Sequence, residues 1–329
     1  MFLRQASNGV GGGLGKHLAM ASSIAEIRAA SPLPDNAQRV VDQAVIEVQL
    51  DRLSIVASLM GDGLVYNLDN ALAVPELYQE KISQTGNARR VMNPSSRGEN
   101  RLPDRSGYTI PIYLTIDTFE LNVRPLLVSR RVGAPLDTTL VGQSIRRINE
   151  SFEDAVINGT GVTYNGHTAY GLLNEPNVNS VAYVSNEAWT AAGHDGADIY
   201  TDVMNMIEEL DDNGYHGPYV LQVPTAYWMK LNEDWKANSD KTIYQRLTEL
   251  RFGGAPLRIE QADMLGTDRT IMYQPTRDVI ELVVGQMPTV ITWADGPGWE
   301  FNFAAVGILI PRIKSTYTGQ SGVVKGFTS

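Results

Sequence analysis

A stripe of apolar side chains in the middle of the chain predicts one long helix. Its members are separated by four, three, four and four positions, and they share one face of a helix over about residues 137–157: Val141, Ile145, Ile148, Phe152 and Val156. Asn158-Gly159 follows and is a typical helix end. The same spacing predicts further helices at about 36–60, which ends at Gly61, and at about 197–210.

Strand-like alternation follows a polar segment that has almost no apolar period. Residues 82–107 contain several Gly, Pro and Arg, and so long a structureless stretch inside a compact domain is usually functional. The apolar positions beyond it alternate with period two and then resume one residue out of phase, which predicts two strands joined by a bulge or turn: Tyr108, Ile110, Ile112, Leu114 and Ile116, then Phe119, Leu121 and Val123. We therefore interpret about 80–123 as an elongated hairpin arm.

The C-terminal half alternates short strands with short helices. The pattern predicts strands at 219–223, 257–260, 270–273, 279–284 and 289–293, and helices at 226–231 and 242–250. From Ala304 to Ile310 the apolar residues are continuous, which is typical of a strand buried on both faces. The whole pattern predicts an α+β protein in which a mixed module, about 171–290, is inserted between the long helix and a returning C-terminal strand.

Composition excludes several classes of protein. The 329 residues include 43% apolar side chains, enough for a sizeable core, but no run approaches the roughly 18–20 apolar residues of a membrane span. The chain has no cysteine, which excludes disulfides, thiolate metal sites and a cysteine nucleophile. The first twenty residues are Gly-rich and lack the apolar stretch of a signal peptide, so we expect a soluble, non-secreted protein.

Charge is distributed unevenly. The net charge is −10, which disfavours a surface devoted to nucleic acid. Residues 171–290 hold 18 acidic and 8 basic residues and account for the whole excess, whereas residues 81–105 carry a local charge of +4. This basic loop is either a solvated loop or a segment that docks on an oppositely charged surface, such as another copy of the chain.

The sequence shows no catalytic constellation. The Gly-rich stretch ending at Gly15-Lys16 lacks the first glycine and the following Ser or Thr of a phosphate-binding loop. The four histidines are scattered, and we interpret the group of His194, Asp195 and Asp198 as a solvated loop rather than a cation site. We therefore predict no catalytic residue, no cofactor and no metal, and we do not expect an enzyme.

The order of these parts, together with short local sequences, resembles the major capsid proteins of tailed bacteriophages, the Hong Kong 97 type, whose fold encapsulin shells share. The similar stretches are SRRVGAPLDTT at 129–139, FEDAVING at 152–159, YGLLN at 170–174 and HGPYVL at 216–221. The resemblance in the order of the elements covers nearly the whole chain. Its short motifs are residues typical of the junctions between elements and not active-site residues.

The resemblance implies a Hong Kong 97-type capsid fold with four parts. These would be an N-terminal arm at 1–35, an extended loop at 80–123, an axial domain at 171–290, and a peripheral domain at 36–79, 124–170 and 291–329 whose spine is the long helix. The implied function is a structural protein that self-assembles as hexamers and pentamers into an icosahedral shell enclosing phage double-stranded DNA, which it contacts weakly.

Further partners and alternatives follow from the same resemblance. It implies portal, scaffold and decoration proteins as partners, no membrane, and a location in the virion capsid after assembly in the bacterial host cytoplasm. The main alternative is an encapsulin shell enclosing cargo enzymes, but the Gly-rich arm and the long polar loop favour a phage capsid. A tail tube protein would be β-rich and would lack the long helix.

The charge pattern indicates which residues would join neighbouring subunits. We expect arginines of the basic loop to pair with acidic residues on the polar face of the long helix: Arg89, Arg90, Arg97, Arg101, Arg105, Glu150, Glu153 and Asp154. Some relatives join a loop lysine covalently to a neighbour's asparagine. Because Lys81 lies only at the base of this loop and its outer part has no lysine, we expect no such cross-link.

Overall fold

The computed structural model describes residues 41–43, 54–83, 92, 102–122, 124, 139–236, 239–295 and 300–328. Within these ranges the helices are α1 (Ile55–Gly61), α2 (Thr139–Asn158), α3 (Gly196–Asp212), α4 (Thr225–Leu231) and α5 (Ile243–Thr248). The strands are β1 (Val65–Asn67), β2 (Glu76–Ile82), β3 (Arg105–Pro111), β4 (Thr115–Asn122), β5 (Thr163–Tyr164), β6 (His167–Thr168), β7 (Asn179–Ala182), β8 (Val220–Val223), β9 (Arg251–Phe252), β10 (Ala255–Pro256), β11 (Arg258–Gln261), β12 (Arg269–Tyr273), β13 (Ile280–Asp295), β14 (Glu300–Ile313) and β15 (Val323–Phe327).

A four-stranded sheet carries the long helix. Its order is β1-β13-β14-β4, with β1 parallel to β13 and the other neighbours antiparallel. The predicted apolar stripe of α2 is buried against this sheet, where Phe152 lies beside Gly307 of β14. The prediction of a long helix that ends at Asn158-Gly159 is confirmed, and Gly159 takes the left-handed backbone conformation (φ 70°) that suits glycine at a helix end.

A five-stranded sheet lies between two apolar cores. Its order is β11-β8-β12-β15-β7. Alternate residues of β8 point to opposite sides, so Val220 joins the core shared with α1 and α2, while Leu221 joins a second core with α3 and α4. The helix predicted at 197–210 is α3, and its side chains Ile199, Val203 and Met206 are buried in that second core.

The strand pairing crosses two of the expected domain boundaries. The final strand β15 pairs with β12 and β7 inside the five-stranded sheet, whereas residues 291–329 were all expected in the peripheral part. Conversely, β13 begins at Ile280 and belongs to the four-stranded sheet, although residues up to 290 were assigned to the axial part. The predicted strands 279–284 and 289–293 form this one strand, with register shifts between Val284 and Thr289.

A break does separate two strands within residues 108–123, but it lies at residues 112–114, and Ile116 belongs to the same strand as Phe119, not to the strand before it as the phase slip predicted. Strand β3 pairs with β2 in a two-stranded antiparallel sheet, whereas β4 pairs with β14. Within the expected extended loop at 80–123, β3 forms a hairpin with β2, whereas β4 is part of the four-stranded sheet. The N-terminal arm at 1–35 lies outside the described residues, as do most of residues 84–101. No helix in the described part of the chain is long and apolar enough to cross a membrane.

Candidate intersubunit surfaces

One face of the β2-β3 hairpin is anchored to the body of the protein. The Tyr108 hydroxyl donates to the backbone carbonyl of Ile313 and lies 3.0 Å from Gln79 Oε1. The opposite face exposes two large apolar side chains of β2, Tyr78 (64% exposed) and Ile82 (53% exposed). A two-stranded sheet is only marginally stable by itself, so this outward face is the part of the hairpin that another molecule could cover.

Lys81 points inward rather than along the outer loop. Its Nζ donates to Ser315 Oγ and lies 4.8 Å from the centre of the Tyr108 ring. Lys81 and Glu175 line a cavity of about 220 Å³ beneath the hairpin. Burial lowers the pKa of Lys81, and the negative charge of nearby Glu175 partly offsets this decrease. Burial also raises the pKa of the Glu175 carboxyl.

We predict that assembled particles contain no covalent ladder of subunits. The amine of Lys81 is half-buried and occupied within its own chain, and no lysine occurs between residues 82 and 229. Particles boiled in denaturant should therefore run on a gel as a single band at the mass of one chain. A series of bands at multiples of that mass would contradict this prediction.

The arginines of the basic loop fall into two groups. Arg89, Arg90, Arg97 and Arg101 lie outside the described residues. Arg105 is described, and its Nη1 lies 3.2 Å from Glu80 Oε1, so it pairs across the two strands of its own hairpin near the loop end. The Arg105 side chain is 64% exposed, and an exposed pair of this kind contributes about 0–1 kcal/mol, so the contact leaves Arg105 accessible to a further partner.

The three acidic residues of α2 occupy different environments. Asp154 is exposed and accepts a hydrogen bond from the Asn158 side chain at 2.7 Å, and Glu150 is half-buried. Glu153 is completely buried, so its expected place on the polar, intersubunit face is wrong. The described structure does not bring Asp154 to Arg105, and their pairing between subunits stays a prediction.

Glu153 caps a helix that lies nearly one hundred residues away in sequence. Its Oε1 accepts hydrogen bonds from the Ser54 hydroxyl (2.6 Å) and the Ile55 amide (2.7 Å), and its Oε2 accepts one from the Val56 amide (3.2 Å). The Ser54 side chain makes no capping bond to α1 itself. Glu153 therefore satisfies amides in the first turn of α1, which have no partners within the helix.

His194 and its acidic neighbours are structural, and the expectation of a solvated loop is wrong for His194. The His194 ring is buried, and its Nε2 lies 2.9 Å from Asp202, which also accepts hydrogen bonds from Trp189 Nε1 and the Val184 amide. Burial raises the pKa of Asp202 despite these bonds. Asp195 and Asp198 instead form the capping box of α3, which their spacing could have revealed.

The described site candidates do not form one cluster of charged side chains. Among the described residues no three His, Asp or Glu side chains come close enough to hold a metal ion. Of the acidic side chains predicted from the sequence, Glu153, Asp195 and Asp198 cap helices, and Asp154 is exposed. Arg147 pairs with Asp117 at 3.2 Å on the rim of α2. The prominent accessible features are the outer face of the hairpin and the charged rim of α2.

The fold is that of capsid proteins. The chain is similar to the virus-like particle protein of Pyrococcus furiosus, with a TM-score of 0.62 and 17% identity over 87% of this chain and 98% of that one. It is also similar to the capsid of Myoviridae phage XM1, with a TM-score of 0.63 and 12% identity over 82% and 91% of the two chains. The capsid of a native GTA particle gives a TM-score of 0.55 and 11% identity over 83% and 90%.

These likenesses confirm the Hong Kong 97-type capsid fold that the sequence resemblance implied. The chain belongs to a family described as "Family of unknown function (DUF6260)", whose model matches residues 26–326. No curated protein matches it.

Proposed function

We propose that this protein is a structural shell protein and not an enzyme. In this proposal, copies of the chain assemble as hexamers and pentamers into a closed icosahedral capsid that encloses phage double-stranded DNA. The observation that carries the proposal is the likeness of fold over more than four fifths of the chain to a phage capsid and a virus-like particle. Shell proteins act through repeated interfaces between identical copies. The exposed outer face of the hairpin and the charged rim of α2 are surfaces that could form such interfaces.

The extended hairpin is the element proposed to join neighbouring subunits. It projects Tyr78 and Ile82 from one face, and the basic loop between its strands carries a charge of +4 over residues 81–105. The exposed carboxylate Asp154 and the half-buried Glu150 are the remaining acidic candidates on α2. Arginine suits such contacts because its planar guanidinium binds a carboxylate in bidentate fashion.

Electron microscopy of the purified protein tests the shell function directly. Closed particles of uniform diameter are expected, and a purified protein that stays monomeric under all assembly conditions would contradict the proposal. The likeness to the Pyrococcus furiosus particle supports a second candidate, a shell that encloses protein cargo. Nuclease-protected DNA inside particles purified from the natural source would support the capsid, whereas co-purified protein without DNA would support the alternative.

We expect reversal of two loop charges to block assembly without unfolding the chain. In Arg89→Glu/Arg90→Glu, electrostatic repulsion replaces attraction at every copy of the contact, so small pairwise effects multiply around a closed shell. Circular dichroism should be that of the wild type, and sedimentation should show unassembled protein. The matched control, Lys236→Glu/Arg246→Glu, changes two exposed charges away from the hairpin and should assemble normally.

A compensating change identifies the partner surface. Because Glu153 is buried, the useful reversal on α2 is Asp154→Arg, which should partly restore assembly to the loop variant. Assembly experiments at low and high salt add a second measurement, since exposed charge contacts weaken as salt rises. Normal shells from Arg89→Glu/Arg90→Glu at low salt would show that the charge of the loop does not join subunits.

A further inference from the structure

Five side chains form a closed ring of polar contacts between α1 and one edge of the five-stranded sheet. Nε of Arg258 lies 2.8 Å from Glu260 Oε1, and the Gln222 amide nitrogen donates to Glu260 Oε2 at 2.7 Å. The same nitrogen donates to the Tyr273 hydroxyl at 3.3 Å, which lies 3.5 Å from Ser58 Oγ. Nη2 of Arg258 then donates to Ser58 Oγ at 3.2 Å and closes what we call the Arg258 ring.

Asp62 braces this ring at the end of α1. Nη1 of Arg258 donates to Asp62 Oδ1 at 2.8 Å, and Nη2 donates to Asp62 Oδ2, so the guanidinium holds the carboxylate in bidentate fashion. The hydrogen bonds to Asp62 raise the pKa of Arg258 further above its usual value. A second arginine, Arg277, donates to the Gly63 carbonyl at 3.0 Å. Two arginines therefore hold the C-terminal end of α1. Arg258 lies in β11 of the five-stranded sheet, and Arg277 follows β12 of the same sheet.

The ring extends from the solvent-exposed rim into the core. Arg258 is 41% exposed in its side chain, whereas Gln222 and Tyr273 are completely buried. Burial raises the pKa of the Tyr273 hydroxyl to about 12, so it stays protonated and can take part in the ring at neutral pH. Three neighbouring strands, β11, β8 and β12, each contribute at least one member, and Glu260 lies directly opposite Gln222 in the ladder.

Directional hydrogen bonds of this kind can fix the rotation of one layer of the protein against another more strictly than apolar packing does. The layer of α1 and α2 meets the five-stranded sheet through Val220, Ile271 and Tyr273, which belong to one apolar core. The free energy of apolar burial depends on area and not on direction, so it restricts the rotation of one layer against the other less strictly than hydrogen bonds do. Bidentate and buried hydrogen bonds have strict geometry, so the Arg258 ring can fix that rotation.

We infer that the Arg258 ring, braced by Asp62, sets the angle between the four-stranded part and the five-stranded part of the subunit. If copies of the subunit tile a shell, which rests on the function proposed above, this angle sets the curvature and thus the shell diameter. Arg258, Glu260 and Asp62 are then positioning residues for assembly: they act inside one subunit and determine how subunits can meet.

Distance measurements between two spin labels test the angle directly. The chain lacks cysteine, so labels can be placed at Ser151→Cys, exposed on α2, and Met229→Cys, exposed on α4, without removing native thiols. In the full chain, diluted with unlabelled protein, we expect Asp62→Asn and Glu260→Gln to shift or broaden the distance distribution. The matched control is Glu249→Gln. It also removes an exposed carboxylate that pairs with basic side chains, but its partners Lys241 and Arg246 lie close to it in sequence and are not members of the Arg258 ring.

Electron microscopy of the same variants tests the consequence for the shell. Asp62→Asn and Glu260→Gln should give shells of mixed diameter or open sheets, while Glu249→Gln should give the uniform shells of the wild type. An unchanged distance distribution in both ring variants would overturn the inference about the angle, and a changed distribution with uniform shells would overturn the link to diameter. Failure of the wild type to form any shell would refute the proposed function alone, since the label distances still decide the role of the ring.

Discussion

Replacing Glu153 by alanine is expected to lower the free energy of unfolding by about 3 kcal/mol, because it leaves buried donors without an acceptor. The carboxylate accepts hydrogen bonds from the amides of Ile55 and Val56 and from the Ser54 hydroxyl. The hydroxyl can rotate toward another acceptor, but the two amides belong to the first turn of α1 and have no partner within the helix. Chemical denaturation followed by circular dichroism measures the loss.

Two neighbouring variants separate this capping role from a general effect of removing charge from α2. Asp154→Ala removes the next carboxylate, which is exposed, and should change the free energy of unfolding by no more than about 0.5 kcal/mol. Glu153→Gln keeps the size of the side chain and one acceptor oxygen, so its loss should lie between those of the two alanine variants. Equal stability of Glu153→Ala and Asp154→Ala would contradict the assignment of Glu153 as a cap.

The misplacement of Glu153 shows what a periodic pattern can and cannot predict. The apolar stripe located α2 and its sheet-facing side correctly, because apolar residues at helical spacing report one buried face. The polar residues Ser144, Asn149 and Glu153 are also buried, on a broader arc of the same helix. Burial of a polar residue depends on a specific partner, here the start of α1 about 98 positions earlier in the chain, and no local spacing contains that information.

The sheet order depends on non-local pairing in the same way. The patterns at 219–223 and 270–273 are short, mostly apolar runs, and the pattern at 257–260 alternates; they correspond to β8, β12 and β11. Strand β15 lies between β12 and β7, and its pairing with β7 joins Val324 to Asn179, far apart in sequence. The Arg258 ring could not be predicted from the sequence either, because its members come together only when α1 packs on three strands.

The largest loss of stability is expected from Phe152→Ala, at about 3–5 kcal/mol, through lost burial and a cavity under the four-stranded sheet. The Phe152 ring is 1% exposed and packs against β14 where that strand carries Gly307. Ile148→Ala, one turn earlier on the same buried stripe, should cost about 2–5 kcal/mol for the same reason. Thermal or denaturant unfolding measures both losses, and wild-type stability in either variant would contradict the spine assignment of α2.

Gly307 allows this contact to be tested from the opposite side. A Cβ atom at position 307 would lie 2.5 Å from Cζ of Phe152, closer than two carbons can approach, so Gly307→Ala should overpack the site and cost about 1–3 kcal/mol. Phe152→Leu makes room where the added methyl group would clash, so the double variant should be more stable than the sum of the two single losses predicts. A double-mutant cycle measures this coupling, which should be at least about 0.5 kcal/mol for side chains in direct contact. Strict additivity of the two losses would show that the ring of Phe152 does not rest on Gly307, and that α2 meets β14 in some other register.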